Sequence, residues 1–314
     1  NVVLRRLLWA VFALAFLMRF WDAGNRDLFG DEGVDAFRGV GYLDYLGTSF
    51  QTQPIDWYKD AVLPWWTKLS FHDFPPITML IQHGFFAVLG DSLLIARLPA
   101  VLLGTLSTFL IYLIVRRFLD EKIALLSAFL FSVNSVMVWI FRTSLLEPIL
   151  LFFILLNIYF FFRFVEDKRY WWMFGLTLGL VFLTKYTGIF IVPVYLAIGL
   201  IRPIGPVSLI RLTGSFAVTI LIFSPVIVYN IFLFAERGHF DLQLAYFLGQ
   251  DTPEWTGLVG KIQAPFSLIW KNLTSGSNDA FGVFSPVVSY QTPFIISALT
   301  GFLYLVYKLV KSFR

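Results

Sequence analysis

The stretch LLIARLPAVLLGTLSTFLIYLIV, Leu93–Val115, decides how this chain is read. It holds one charge, Arg97, close to its start. As a helix rising ~1.5 Å per residue it is about 35 Å long, enough to cross the ~30 Å hydrocarbon layer of a bilayer. The rest of the chain has the same character. Its 314 residues are 58% hydrophobic, 19% aromatic and 14% charged, against roughly 25% charged in soluble domains. An ordinary soluble domain is ruled out. Cysteine is absent, which excludes disulfides, thiolate metal sites and cysteine nucleophiles. His72, His83 and His239 are the only histidines, which argues against a histidine-rich metal centre. The net charge of +4 comes from basic residues scattered between apolar runs, so they read as topology markers and not as a nucleic-acid surface.

Continuous, non-alternating apolar runs in lipid must be helices, because barrel strands alternate. The expected fold is therefore all-α, a polytopic membrane helical bundle of about eight transmembrane helices in one integral membrane domain, 1–314. The expected spans are Val2–Phe20, Leu93–Val115, Ile123–Phe141, Pro148–Phe162, Trp171–Thr184, Gly188–Leu200, Leu209–Phe234 and Val287–Tyr307. Val2–Phe20 reads as a retained span, since no small-residue cleavage site follows it. Ile77–Leu89, opened by Pro75-Pro76, is about 20 Å long as a helix and reads as interfacial. Three basic clusters, Arg116-Arg117 with Lys122, Arg163 with Lys168-Arg169, and Lys308 with Lys311 and Arg314, join Arg5-Arg6 on the cytoplasmic side of that arrangement. Both termini are then cytoplasmic. Segments 21–92, with interfacial helices, and 235–285 become large outer loops of an inner-membrane protein. Loops of that size on a small membrane core point to work done there.

A few polar residues call for an explanation. Asp31-Glu32 follows the first span between glycines and reads either as a solvated turn or as a carboxylate pair able to act as base or orient a metal. A helix over Gly33–Leu46 sets Glu32, Asp35 and Gly39 on one face. Arg142 and Glu147 lie in a polar turn, where Ser144 and Glu147 have capping-box spacing but an ionisable pair at a membrane rim also marks a site. Lys185, alone between apolar segments, needs a counter-charge, a phosphate or a route to the headgroups. Arg97 reads as an interface anchor or a phosphate contact. His72-Asp73 reads as a base or ligand pair, or as an ordinary helix approach. Asn272-Leu273-Thr274 matches the glycosylation sequon, a frequent pattern.

In this order the polar positions resemble a known family. Asp31-Glu32, Phe74-Pro75-Pro76-Ile77, Gly90-Asp91-Ser92, Ala96-Arg97-Leu98-Pro99-Ala100, Arg142 with Glu147-Pro148, and Gly179 through Lys185 are similar to the amino-terminal part of the polytopic glycosyltransferases of the GT-C class, which use lipid-phosphate sugars. Within that class the resemblance is to the branch holding the protein O-mannosyltransferases and the aminoarabinose transferases of lipid A. It extends to about Leu200. Two departures stand out: Phe74 occupies a position that is often basic in the family, and the family is commonly longer.

The resemblance implies transfer of a sugar from a polyprenyl- or dolichyl-phosphate carrier to a lipid, glycan or protein acceptor at the outer face, with inversion. It implies Asp31, Glu32 and Glu147 as catalytic carboxylates, with Asp31 the base. Lys185, Arg97 and Arg142 are implied to bind the donor phosphate. His72 and Asp73 stay open as acceptor or metal positions, with a divalent cation as one option, and nucleic acid is not expected as a partner. Asp31, Glu147 and Lys185 are expected to line one outward cavity. The rival expectation is a non-catalytic structural or assembly subunit of a larger membrane complex on the same scaffold, beside a membrane-protein partner. A transporter is a weaker third reading, since no repeat symmetry is evident.

Overall fold

The computed structural model describes residues 2–40, 64–201 and 206–250. Every regular element among them is helical. The chain separates into two compact units, Asn1–Phe232 and Leu233–Arg314. The first begins with α1 (Val2–Phe20) and α2 (Asp31–Val40), then a 3-10 turn at Trp65–Lys68, α3 (Ile77–Leu89) and α4 (Leu93–Val115). It continues with α5 (Glu121–Val133), α6 (Ser135–Ile140), α7 (Leu146–Glu166), α8 (Trp171–Thr184) and α9 (Ile191–Ile201), and enters α10 (Pro206–Arg237). In the second unit Asp241 Oδ1 accepts the Leu244 amide at 3.0 Å and starts α11 (Leu242–Leu248).

Local chemistry fixes the boundaries. Gly90, at φ 79°, closes α3 in a conformation that side chains disfavour. The Ser92 hydroxyl then accepts the Ile95 amide at 3.3 Å and opens α4. Asp120 caps α5 by accepting the amides of Lys122 and Ile123, each at 2.9 Å.

The protein is a membrane protein, but the expectation of eight spans is corrected. Among the described residues three helices are long and apolar enough to cross a bilayer: Leu93–Val115, Leu146–Glu166 and Leu209–Arg237. The first matches its expected bounds, and the others enclose Pro148–Phe162 and Leu209–Phe234. Four of the remaining expected spans, Val2–Phe20, Ile123–Phe141, Trp171–Thr184 and Gly188–Leu200, fail for separate reasons. Val2–Phe20 carries Arg5, Arg6 and Arg19, and Arg19 is fully buried, donating to the carbonyls of Ala15, Ser132 and Phe131. Ile123–Phe141 breaks at Asn134, whose extended backbone ends α5 while its side chain accepts the Met137 amide at 3.0 Å and starts α6. Trp171–Thr184 has 14 residues and Ile191–Ile201 has 11, the two being separated by a 3-10 turn at Tyr186–Phe190. Val287–Tyr307, with its basic cluster, lies outside the described residues, as do 251–285 of the second expected loop and 41–46 of the expected helix after Gly33.

The long helices pack by shape and by short polar links. Ala124 and Ala128 of α5 meet Val11 of α1 and Tyr112 of α4. Ile149 and Phe153 of α7 meet Val181 of α8. Asn157, buried in α7, donates to Phe174 O at 2.9 Å and Thr177 Oγ1 at 2.8 Å, and accepts the Tyr195 hydroxyl at 2.6 Å. Such a network satisfies groups that lipid could not. Leu106 and Phe109 of α4 and Ile220 and Leu221 of α10 stay exposed, as suits a surface facing acyl chains.

Helix direction gives the bundle two unlike ends. At one end Arg117 pairs with Glu166 and donates to Phe162 O, while Arg163 donates to the Tyr170 hydroxyl. The Arg116-Arg117, Lys122 and Lys168-Arg169 groups all belong to this end. The other end holds the C-termini of α1 and α8 and the N-termini of α2, α4 and α7.

Candidate functional site

At that second end α2 turns sharply out of the chain after Gly30, whose φ is 46°. Its inner face carries Glu32, Asp35, Ala36 and Gly39, all buried, with Arg38 beside them. This agrees with the three-and-four spacing read from the sequence. The face lies on α3: a Cβ added to Gly39 would come within 2.8 Å of Gln82 Cβ and 3.1 Å of Phe86 Cε2. Only glycine permits that approach.

Glu32 is completely buried, and both its oxygens are committed. Arg97 meets it side-on, Nε to Oε1 at 2.7 Å and Nη2 to Oε2 at 3.0 Å. The Ser144 amide adds a third bond to Oε1 at 2.8 Å, and the Ser144 hydroxyl donates to Glu32 O at 3.1 Å. The capping-box reading of Ser144 with Glu147 is therefore corrected. Leu145 is the N-cap of α7 without a side-chain bond, because the polar groups of Ser144 are already taken by Glu32. Arg97 spends its other donors on the carbonyls of Ala23 at 2.8 Å, Arg26 at 2.7 Å and Asp27 at 3.1 Å. All five of its N–H groups thus act inside the protein. The expected phosphate contact has no donor left, and the expected catalytic role of Glu32 meets a carboxylate sealed from substrate.

Asp31, next in the chain to Glu32, is exposed. It occupies the first turn of α2, where the helix dipole favours negative charge. Asp35, one turn on, is buried with Oδ2 unpartnered. Burial pushes its carboxyl well above the ordinary 3.8; Arg38 opposes this, while the negative charges of Asp73, Asp31 and Glu147 push the same way. Four carboxylates from three separate segments therefore share one electrostatic neighbourhood. Asp73 is also buried and raised by that burial, although Arg38 holds it through Nη2 to Oδ2 at 3.0 Å and Nη1 to Oδ1 at 2.9 Å. His72, beside it, is buried as well. Among the described residues no group of three His, Asp or Glu is arranged to hold a metal ion.

Lys185 ends α8 in extended conformation. Its Nζ donates to Glu147 Oε1 at 2.6 Å and stands 5.7 Å from the centre of the Phe74 ring. Unlike the Glu32–Arg97 pair it is partly open, with 23% and 41% of the two side chains exposed. Arg142 lies elsewhere, donating from Nε to Met18 O at 3.0 Å. Lys185 thus meets Glu147 and Phe74, and Asp31 and Glu147 both bear electrostatically on Asp35, while Arg97 and Arg142 have other partners. Sequence reasoning missed Ser144 as the partner of Glu32 and Gln82 Nε2 as the donor, at 3.0 Å, that holds Ser144 O. A polar Gln82 within an apolar helix was the available signal.

This all-α membrane bundle, with its buried acid–arginine brace beside an exposed acid and its partly open lysine–glutamate pair, has a GT-C-like glycosyltransferase fold, as the solved structures it aligns with show. Residues 73–229, half of the chain, match the family described as dolichyl-phosphate-mannose-protein mannosyltransferase, and the chain belongs to that family. A Bacillus subtilis (strain 168) protein named as a mannosyltransferase, YkcB, is 26% identical over 217 residues, an alignment covering 60% of this chain and 30% of the relative. The Saccharomyces cerevisiae protein O-mannosyltransferase Pmt1-Pmt2 complex bound to the sugar donor aligns with a TM-score of 0.52 and 18% identity, over 84% of this chain and 38% of that one. The Archaeoglobus fulgidus oligosaccharyltransferase tethered to an acceptor peptide aligns with a TM-score of 0.50 and 14% identity, over 98% and 38%. The chain therefore spans about a third of the length of these relatives.

Proposed function

We propose that this chain transfers a sugar from a polyprenyl- or dolichyl-phosphate carrier to a lipid, glycan or protein acceptor, with Asp31 as general base. One observation carries the reading: Glu147, whose Oε1 accepts from Lys185 Nζ at 2.6 Å, and exposed Asp31, one helical turn before Asp35, both push the buried Asp35 carboxyl upward. This supports placing the base and the phosphate-seeking cation in one site. The basic clusters gather at the other end of the bundle, which supports a cytoplasmic assignment there and an outward-facing site here.

The chemistry follows from these side chains. Asp31 accepts the proton of the acceptor hydroxyl as its oxygen attacks the anomeric carbon. The bond from that carbon to the carrier phosphate breaks, and the phosphate leaves with the electron pair. A single displacement inverts the centre, unlike the double displacement of a nucleophilic carboxylate. Lys185 meets the charge that develops on the departing phosphate. Glu147 holds Lys185 until the donor competes for it. Glu32 and Arg97 are positioning residues: their brace fixes the first turn of α2, and with it Asp31, against α4 and Ser144.

The test is Asp31→Asn in the purified membrane protein supplied with a polyprenyl-phosphate sugar. Turnover should fall about a thousandfold or more, as for a lost general base in a pre-organised site, while donor binding stays. Retained turnover would remove Asp31 from the mechanism. Donor binding by the parent chain without any transfer would favour the non-catalytic subunit.

A further inference from the structure

A second feature at the same end of the bundle has no part in that chemistry. A cavity of about 440 Å³ lies between the end of α1, the turn after it and α6. Arg26, Arg142, Asp22, Asp27, Phe29 and Trp139 give it its character. Arg97 closes it at the back, already neutralised by Glu32. Asp31, Glu147 and Lys185 do not line it. Its size falls within the ~300–1,000 Å³ of sites that take small organic groups.

The lining groups are poorly served by the protein. Arg142 uses Nε on Met18 O, and no described group accepts from its two terminal nitrogens. Burial and the nearby Arg26 both disfavour its charge, with Asp22 as a partial counterweight. Arg26 touches Asp22 at 3.6 Å, with 75% of the arginine side chain exposed, a contact of little strength in water. Asp27 is exposed, its carbonyl held by Arg97. Arg26, Arg142, Asp22 and Asp27 line one hollow, so their charges sum to zero; Asp22 accepts from Asn25 Nδ2 at 2.7 Å beside its loose contact with Arg26. Its rim is apolar. Phe29 and Trp139 stack with centroids 6.3 Å apart and stay half exposed, and Trp21, just past the end of α1, is 76% exposed. Arg142 precedes by one turn the membrane-spanning helix that starts at Leu146, the depth at which headgroups lie and aromatic rings anchor.

We infer that this cavity binds the headgroup of a zwitterionic phospholipid, its phosphate on Arg142 and Arg26 and its ammonium toward Asp22 and Asp27, with the acyl chains leaving past Trp139 and Phe29. A guanidinium pair suits a phosphodiester, and the neutral sum of the lining disfavours a headgroup with net charge. The inference is independent of the sugar-transfer reading.

Delipidated protein in detergent is titrated with dioleoyl-phosphatidylethanolamine and with dioleoyl-phosphatidylglycerol, and bound lipid is counted by native mass spectrometry. The parent chain should prefer the ethanolamine lipid. The double variant Arg26→Gln with Arg142→Gln should bind it about tenfold more weakly, the effect of ~1.4 kcal/mol, with an unchanged melting midpoint. Asp22→Asn with Asp27→Asn should invert the headgroup preference, and it keeps the positive φ of 63° at position 22 that asparagine accepts as readily as aspartate. Should the arginine variant fail to fold, this second variant decides alone. Tighter binding of the glycerol lipid by the parent chain, or ethanolamine binding indifferent to both double variants, would overturn the assignment.

Discussion

Lys185 and Glu147, 38 residues apart in the chain, meet through Nζ and Oε1 at 2.6 Å where α8 ends and α7 begins. The pair is partly open to its surroundings, and that decides what its loss should do. An exposed ion pair contributes about 0–1 kcal/mol to stability, whereas a charge-assisted bond to a ligand phosphate contributes about 1.5–3 kcal/mol.

Lys185→Ala should therefore leave the melting midpoint almost unchanged and weaken binding of the lipid-phosphate donor by about tenfold to a hundredfold. Titration of the purified variant with the donor measures this. Equal affinity in both proteins would take Lys185 out of the donor site.

The Glu32–Arg97 pair should behave in the opposite way. It is buried on both sides, 0% and 5% exposed, so Glu32→Gln leaves a buried guanidinium without its counter-charge. A loss of about 3–5 kcal/mol is expected, read as a lower melting midpoint in detergent. Replacing Arg97 by Met in the same chain should restore part of it, because no unpaired charge then remains. A Glu32→Gln protein as stable as the parent would mean that the brace does not hold α2.

Asp35 makes stability depend on pH. The folded protein holds its proton more firmly than the unfolded chain, since burial raises the carboxyl well above 3.8. Its contribution is then fully present below the unfolded value and is lost as pH rises through the folded one. Each unit of elevation corresponds to about 1.4 kcal/mol. Asp35→Asn should flatten the decline in melting midpoint between acidic and neutral pH and stabilise the protein at neutral pH. A variant with the parent's profile would shift the effect to Asp73, which is raised for the same reason.

Gly39→Ala tests the seat of α2 on α3. The new methyl would stand 2.8 Å from Gln82 Cβ, so one helix must move. Overpacking of this kind costs about 1–3 kcal/mol. Because Gln82 also holds the Ser144 carbonyl, turnover should fall more than donor affinity. A silent substitution would show that the two helices slide freely.

The sequence by itself determined that this is a helical membrane protein, because an apolar run such as Leu93–Val115 has no other way to satisfy its backbone in lipid. It also determined the buried face of α2, since Glu32, Asp35 and Gly39 recur at helical spacing. The tertiary structure decided which charges are spent and which stay available. Arg97 looks as free as Lys185 along the chain, yet the fold delivers to it a carboxylate 65 residues away and three carbonyls, leaving Lys185 the open cation. Helix length was a matter of local side-chain chemistry, as Asn134 breaks an apolar run with one bond to the amide three residues on, which hydrophobicity alone does not register. Periodicity and hydropathy are properties of neighbours in sequence, whereas the partner of a buried charge is set by packing between distant segments.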